Sequence, residues 1–215
     1  MRRFSAAAKA HAFRWTVARS AIAAALVLAC STSAAQGVLT LYGGARGSGD
    51  FTDDDTGRPV KLDSGGAVSV SLDWPLSDGR QAQVFYSFQR SALPGSVVNQ
   101  AGDVDVDVNY LHAGGRVFFH GTQATSAAYV VGGLGVTYFS PSLGGLSSEL
   151  RPSASLGLGY QSMLSKQVAL RAELRGYLTL VNSDGGFFCS GGCVVSIRGD
   201  TMTQVEGMVG LSFSF

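Results

Sequence analysis

The last fifteen residues of the chain alternate between two kinds of side chain. Counting back from the C-terminus, the apolar or small positions are Phe215, Phe213, Leu211, Val209, Gly207 and Val205. The residues between them include Glu206, Gln204 and two serines. A repeat of two predicts a β-strand with two different faces, because successive side chains point to opposite sides. Such a strand either covers the core of a soluble antiparallel sheet or separates lipid from a polar lumen.

The first 35 residues have the composition of a secretory signal peptide. Five basic residues precede the apolar run 21–29, and small residues follow it from Ser31 to Ala35. This order is typical of a cleaved signal, and the run is too short to span a bilayer as a helix. We therefore predict cleavage after Ala35 and one mature domain over 36–215. Lipidation at Cys30 is the weaker alternative, because the residue two positions before it is not small.

The charge of the chain changes when this segment is removed. The whole sequence has 16 Lys and Arg and 15 Asp and Glu residues, and the signal segment contains five of the bases and none of the acids. The remaining 11 bases and 15 acids give a net charge of −4, which does not favour nucleic acid as a partner. No second apolar run is long enough for a membrane-spanning helix, so strands must provide any membrane insertion.

Eight segments of the mature chain carry the period-two pattern, and an even number lets an antiparallel barrel close with both termini on one side. The predicted strands are 37–46, 66–74, 80–90, 104–119, 126–139, 150–162, 167–181 and 201–215. In the fourth segment the apolar parity changes near Asn109 and Tyr110. Either a β-bulge lies there, or the aspartates before it lie beyond the membrane, where parity loses its meaning. We favour the second explanation.

The connections between the segments alternate in length. Three are short (75–79, 120–125, 163–166), and four are long (47–65, 91–103, 140–149, 182–200). We therefore expect all long loops at one end of the barrel and all tight turns at the other. Outer-membrane barrels have this asymmetry, with turns in the periplasm and loops outside the cell. A soluble barrel has no reason to sort its loops in this way.

Local motifs add a resemblance to a known family. They are the sequence Leu41–Gly44, the Gly-rich stretch 132–136, the stretch 171–177 and the terminal Phe215. Together with the signal segment, these motifs resemble the small outer-membrane β-barrel proteins of the OmpA, OmpX and OmpW-like group. The resemblance implies an all-β fold, an eight-stranded antiparallel up-and-down transmembrane barrel. It specifies architecture well and activity poorly, because folds of this kind host unrelated functions.

The same resemblance implies several partners and a location. The barrel-assembly machinery recognises the terminal strand of such proteins, so we assign Leu211, Phe213 and Phe215 to the assembly signal. The expected surroundings are outer-membrane lipid and lipopolysaccharide, with both termini in the periplasm, the long loops outside and the protein a monomer. The resemblance implies no catalytic residues.

Charged residues are concentrated on the inward faces of the predicted strands. An eight-stranded barrel is only wide enough to be filled by its own side chains, and buried charges must pair. We therefore predict a structural network formed by Arg46, Asp73, His112, Arg116, Arg171, Glu173, Arg175 and Glu206. We expect cross-strand pairs between Glu206 and the charges of 171–175, because their strands are hairpin neighbours. A narrow path for water or ions is the alternative.

Three classes of function fit these features: a non-enzymatic barrel whose loops act in envelope stabilisation or surface contact, a small-solute or ion channel, and a lipid A-modifying enzyme. A deacylase-like enzyme needs His and Ser together on an outward face with an acid nearby. His112 has no Ser two residues away on its own strand, so we favour the non-enzymatic barrel. The acids of the first two long loops indicate solvated loops or a divalent-cation site. We find no zinc, haem, EF-hand or P-loop pattern, and we predict no cofactor.

Two cysteines remain after the signal segment. Cys189 and Cys193 flank Ser190–Gly192 in the last long loop. Export allows a disulfide, and the intervening glycines let the chain fold back far enough to form one. A metal site is the rival, but this loop has no His and zinc usually takes four ligands. We therefore predict a local disulfide that stiffens the loop next to Phe187 and Phe188.

Overall fold

Ten β-strands account for most of the residues that the computed structural model describes, which are 37–48, 51–52, 59–60, 64–93, 104–119, 126–141, 148–180 and 201–215. The strands are β1 (Val38–Ser48), β2 (Phe51–Thr52), β3 (Pro59–Val60), β4 (Gly65–Ser77), β5 (Arg80–Leu93), β6 (Val104–Phe118), β7 (Ser126–Pro141), β8 (Glu149–Met163), β9 (Val168–Leu180) and β10 (Thr201–Ser214). The predicted signal segment and both predicted disulfide cysteines lie outside the described residues.

The eight long strands form a closed barrel in which every strand is antiparallel to its neighbours along the chain. β1 closes the barrel by pairing with β10, in a register that runs from Val38 opposite Ser214 to Ser48 opposite Gln204. β2 and β3 belong to the connection that links β1 to β4 in the sequence, and they form a separate two-stranded sheet. The predicted all-β eight-stranded barrel is confirmed. Within the described ranges, no helix is long and apolar enough to cross a membrane.

The two faces of the barrel have opposite polarity. Large apolar side chains on the outside remain exposed, such as Leu134 at 72% and Leu156 at 69%. The inward positions bury serines, glutamines, arginines and carboxylates. A water-soluble protein has the reverse arrangement, because apolar burial is its main source of stability. The outward face of this barrel is therefore suited to lipid.

Both fully described turns are tight. Asp78 and Gly79 connect β4 to β5, and Gly79 has a φ of 72°, a conformation that glycine adopts without steric cost. The turn between β8 and β9 is held by Ser165 Oγ, which accepts hydrogen bonds from the backbone N–H groups of Gln167 and Val168 at 3.3 and 3.1 Å. β7 ends at Pro141 and β8 begins at Glu149, so the β7–β8 connection (142–148) is as long as the β6–β7 connection (119–125). The predicted difference in length between these two connections is therefore not found.

The change of polarity along β6 involves no β-bulge. The pairing of β6 with both β5 and β7 continues without a register shift through Asn109 and Tyr110. Val106, Val108 and Tyr110 therefore point inward and are buried, while the aspartates between the valines point outward. The bulge explanation is wrong. The inward and outward positions alternate without interruption along the strand, but near its loop end apolar residues take the inward positions and acidic residues take the outward ones.

Candidate functional site: the barrel lumen

The first charged cluster of the lumen is centred on Glu206. Arg46 donates hydrogen bonds to Glu206 Oε2 from Nη2 and Nε at 2.8 and 3.1 Å. The two residues are direct register partners on β1 and β10, and both are completely buried. Ser69 Oγ donates to Glu206 Oε1 at 2.8 Å, and Tyr177 OH donates to Oε2 at 2.7 Å. Ser87 completes the cluster through contacts with both Arg46 and Glu206. The carboxylate thus receives donors from four strands of the barrel.

The second charged cluster is centred on Asp73. Its Oδ2 atom accepts hydrogen bonds from Arg116 Nη1 at 3.0 Å and from Arg171 Nη1 at 2.9 Å. Its Oδ1 atom accepts one from Gln83 Nε2 at 2.8 Å. All of these partners are buried in the lumen. One aspartate therefore neutralises parts of two guanidinium groups that come from β6 and β9.

Glu173 extends this second cluster. The side chain of Arg175 approaches Glu173 Oε1 at 2.7 Å, and Tyr129 OH donates to Oε2 at 2.9 Å. Arg116 Nη2 reaches the same oxygen at 3.5 Å. Arg175 also donates to Gln83 Oε1 at 2.9 Å, which joins Glu173 to the surroundings of Asp73. Direct hydrogen bonds between side chains thus connect β4, β5, β6, β7 and β9 across the lumen.

Two guanidinium nitrogens in the network have no hydrogen-bond partner among the described residues, namely Arg46 Nη1 and Arg116 Nε. An unsatisfied buried donor costs about 1–3 kcal/mol. Both guanidinium groups lie over aromatic rings: Arg46 Cζ is 4.8 Å from the ring centre of Tyr110, and Arg116 Cζ is 4.5 Å from that of Tyr129. A cation held over an aromatic face is attracted by the ring quadrupole, which offsets part of this cost.

His112 faces the lumen but forms no ion pair with the described residues. Its Nδ1 and Nε2 atoms lie 2.8 Å from Ser155 Oγ and Ser153 Oγ, which belong to β8. His112 is 2% exposed, and its ring lies near those of Tyr110 and Tyr177. A lipid-modifying site would need these groups on the outward face, whereas all three point inward. The serines come from another strand, so the spacing along β6 could not reveal them.

The seven other predicted network residues all lie in the two clusters, but the expected pairing within the last hairpin is wrong. Glu206 stands opposite Arg175 on β9 and opposite Arg46 on β1. It pairs with Arg46, across the seam that closes the barrel. Arg175 is directed to Glu173 and Gln83 instead, and its Cζ lies 3.7 Å from the ring centre of Phe85. Each residue in a closed barrel has a register partner on both neighbouring strands, and the sequence pattern does not show which of the two partners it contacts.

Several residues of the site were not singled out from the sequence. They are the hydroxyl and amide partners of the charges, namely Thr40, Tyr42, Ser69, Gln83, Ser87, Tyr129, Gln161 and Tyr177. All of them stand on the inward parity of their strands. This inward parity is the sequence signal that could have identified them as lumen residues. The identity of the charge that each one contacts depends on distances across the lumen.

Buried apolar side chains lie toward both ends of the lumen, beside buried polar residues such as Gln81 and Gln89. Toward the turn end, Phe118, Ala127, Tyr129 and Val131 form one buried cluster, in which Tyr129 also bonds to Glu173 and Val131 stands opposite Arg116. At the loop end, Val108 and Met202 each stand two residues beyond Tyr110 and Gln204, which share a 2.7 Å hydrogen bond across the lumen. Phe139 stands two residues beyond Thr137, which contacts Thr179. Val108, Phe139 and Met202 are all nearly fully buried.

Comparisons with known proteins agree with this architecture. The family model for the outer membrane protein beta-barrel domain matches residues 22–213. Neisserial surface protein A has a similar solved structure, with a TM-score of 0.55 and 15% identity over 84% of this chain and 97% of that chain. OprG from Pseudomonas aeruginosa has a TM-score of 0.51 and 14% identity over 84% and 97% of the two chains. These likenesses show the fold alone.

A search of curated protein sequences finds no match. The family match covers most of the chain and agrees with the closed eight-stranded barrel. The chain therefore belongs to the outer membrane protein β-barrel family and is a transmembrane barrel of the bacterial outer membrane.

Proposed function

We propose that this protein is a non-enzymatic, non-conducting barrel whose filled lumen makes it a rigid support for loops that act in envelope stabilisation or surface contact. The observation that carries the proposal is the arrangement of the lumen. Two clusters of directly bonded side chains occupy the lumen, and they include the three buried carboxylates Asp73, Glu173 and Glu206.

The energetics of the network argue against the channel alternative. An ion that crosses the lumen has to separate pairs such as Arg46–Glu206 and Arg116–Asp73. Leaving one member of a buried pair uncompensated costs about 3–5 kcal/mol. Toward the loop end the ion also meets the apolar side chains of Val108, Phe139 and Met202, which cannot replace its hydration, while Gln89 opposite Val108 offers one polar group there. Each of these steps opposes steady conduction.

The position of His112 argues against the enzyme alternative. The imidazole and its two serine partners are buried within the barrel. An acyl chain or sugar of a membrane lipid would have to enter a filled lumen to reach them. Among the described residues, no group of three or more His, Cys, Asp or Glu side chains could hold a metal ion. These observations support a structural role for the inward polar groups.

The proposal also includes an orientation and a set of partners. The termini and tight turns face the periplasm, and the end with the connections 94–103 and 181–200 faces outward. The barrel-assembly machinery inserts the chain through Leu211, Phe213 and Phe215. The inserted protein is a monomer surrounded by outer-membrane lipid and lipopolysaccharide. In support of this, the backbones of Gly37 and Phe215 exchange two hydrogen bonds of 3.0 Å, so the last residue takes part in closing the barrel.

Conductance across planar lipid bilayers is the direct test. Purified wild-type protein is added to a bilayer, with a general porin in the same lipid as the positive control. We expect no steady current above the lipid background, although the protein is inserted and shows heat-dependent mobility on gels. A steady, reproducible conductance would overturn the proposal in favour of the channel. A change in lipid A mass that depends on expression of the protein would overturn it in favour of the enzyme.

A further inference from the structure

An ion pair lies on the outer wall of the barrel, where most large side chains are apolar. Arg90 on β5 and Asp107 on β6 are register partners, and Arg90 Nε donates to Asp107 Oδ1 at 2.9 Å. The Arg90 side chain is 64% exposed and that of Asp107 is 27% exposed. Both residues point away from the lumen, near the loop ends of their strands. Charged side chains are costly on a lipid face near the bilayer midplane, but not near the interface.

On the turn side of this pair, the next outward positions hold Asn109 and its register partner Phe88, and Tyr86 follows on β5. Tyr86 OH donates to Asn109 Oδ1 at 2.7 Å, and Asn109 Nδ2 donates to the backbone oxygen of Tyr138 at 3.4 Å. The next outward residues toward the turns are the apolar Val84 and Leu111. Tyrosines with an apolar ring and a polar hydroxyl are typical of the boundary between hydrocarbon and headgroups. Arg90 therefore lies at headgroup level.

The geometry leaves one edge of the Arg90 guanidinium available. Asp107 occupies Nε, and no hydrogen bond joins Nη1 or Nη2 to a residue in the described ranges. A planar guanidinium that is fixed by a carboxylate on one edge can present two donors on the other edge. This fork matches two oxygens of a phosphate group. Asp105, the next outward residue toward the loop, places a second carboxylate on that side of Arg90, so a phosphate would approach from the turn side, where Phe88 and Asn109 stand next.

We propose that Arg90, oriented by Asp107, binds a phosphate group of lipid A in the leaflet at the loop end of the barrel. The inference rests on the proposed function in one respect, because it requires that this end faces the outer leaflet. It assigns a lipid contact to one place on the wall, instead of to the apolar belt in general. Lipid A is the partner because it joins phosphate groups to acyl chains, and the outward face changes from charged at Arg90 to apolar at Leu111 and Val84 over the same short distance.

Native mass spectrometry of the detergent-purified barrel can test this site. Wild-type protein, Arg90→Ala, Arg90→Lys and the control Arg80→Ala are each incubated with lipid A and with dephosphorylated lipid A. Arg80 is an exposed arginine on the same face of the same strand, at its turn end. Its substitution removes the same charge without touching the ion pair. Heat-dependent gel mobility verifies that every variant is folded.

We expect wild-type protein to retain lipid A at least tenfold better than its dephosphorylated form, and Arg90→Ala to lose roughly tenfold in affinity, as for other charge-assisted hydrogen bonds. Arg90→Lys should also bind less well than wild-type, because it lacks the fork, and Arg80→Ala should bind normally. Equal binding by wild-type and Arg90→Ala, or an equal loss in Arg80→Ala, would overturn the site. The conductance test is independent: a current would reject the proposed function but not a phosphate contact at Arg90.

Discussion

Arg46 and Glu206 form an ion pair of 2.8 Å across the seam between the first and last strands of the barrel. The two residues are separated by 160 positions in sequence and are both inaccessible to solvent. Their contact requires β1 to meet β10 in the native register. The pair therefore couples the electrostatics of the lumen to closure of the barrel.

Replacement of Glu206 by Ala should destabilise the barrel strongly. The substitution leaves Arg46 buried without its carboxylate and removes the acceptor of Tyr177 and Ser69. A loss of about 3–5 kcal/mol in the free energy of unfolding is expected. Asp105→Ala, which removes an exposed carboxylate from β6, is the matched control and should change stability by less than about 0.5 kcal/mol. Urea midpoints in lipid vesicles, measured by tryptophan fluorescence, compare the two. Equal midpoints would rule out a stabilising network.

The double variant Arg46→Ala/Glu206→Ala tests whether the effect belongs to the pair. Removing both partners eliminates the uncompensated charge, so the double variant should be more stable than the sum of the single losses predicts. Contacting residues usually show coupling energies of about 0.5–3 kcal/mol. Strict additivity in the same urea experiment would show that Glu206 acts through its other partners instead.

A side chain at position 135 should destabilise the barrel. Gly135 stands opposite His112 across the β6–β7 pair, and a Cβ atom at this position would collide with the backbone oxygen of Leu111 and lie 2.8 Å from His112 Cα. Gly135→Ala should therefore cost about 1–3 kcal/mol, as overpacking usually does. Gly43→Ala is the control, because nothing lies within 4 Å of a Cβ atom there. Thermal or urea unfolding distinguishes them, and similar stability of both variants would contradict the close approach.

The change of polarity along β6 predicts a boundary between lipid and water. Single cysteines at Asp105 and Leu134, in a Cys189→Ser/Cys193→Ser background, should react differently with a membrane-impermeant maleimide on intact cells. Both positions are exposed in the structure, but lipid should cover only Leu134. Labelling of Asp105→Cys alone would support the boundary and the outward orientation of the loops. Labelling of both sites, or of neither, would contradict this placement of the barrel.

Deletion of Phe215 should lower the yield of assembled barrel. Its backbone exchanges hydrogen bonds with Gly37, and its aromatic ring ends the outward apolar row of β10. Loss of the residue removes the proposed assembly signal and the last pairing of the seam. The amount of heat-modifiable protein in outer-membrane fractions measures the effect. Truncated protein that inserts at the wild-type level would argue against the signal.

The predicted disulfide between Cys189 and Cys193 stays a prediction, because both residues lie outside the described part of the chain. The ring would be short, so reduction should change global stability little while it loosens the loop that contains Phe187 and Phe188. Thiol labelling of the folded, oxidised protein gives the answer. Reaction of both cysteines without reductant would exclude the bond.

The alternation within single strands is enough to predict the architecture of the barrel. A period of two assigns each side chain to one of the two faces of the sheet. This assignment is local, because a shift of the strand by one residue would turn every side chain to the opposite face. The inward positions of Asp73, Arg116 and Glu206 follow from this parity alone. The polarity change on β6 was also visible in the sequence, although the continuous register was not.

The choice of partner for each charge follows from the closed barrel and not from the strand pattern. Glu206 has a register partner on each neighbouring strand, Arg46 and Arg175, and the sequence pattern favoured the hairpin neighbour. In the barrel, Arg175 is directed to Glu173 and Gln83, and the closing strand supplies Arg46. His112 likewise meets two serines that stand more than forty positions away. Such contacts depend on strand tilt and on distances across the lumen, which result from closure of the whole sheet and not from any one strand.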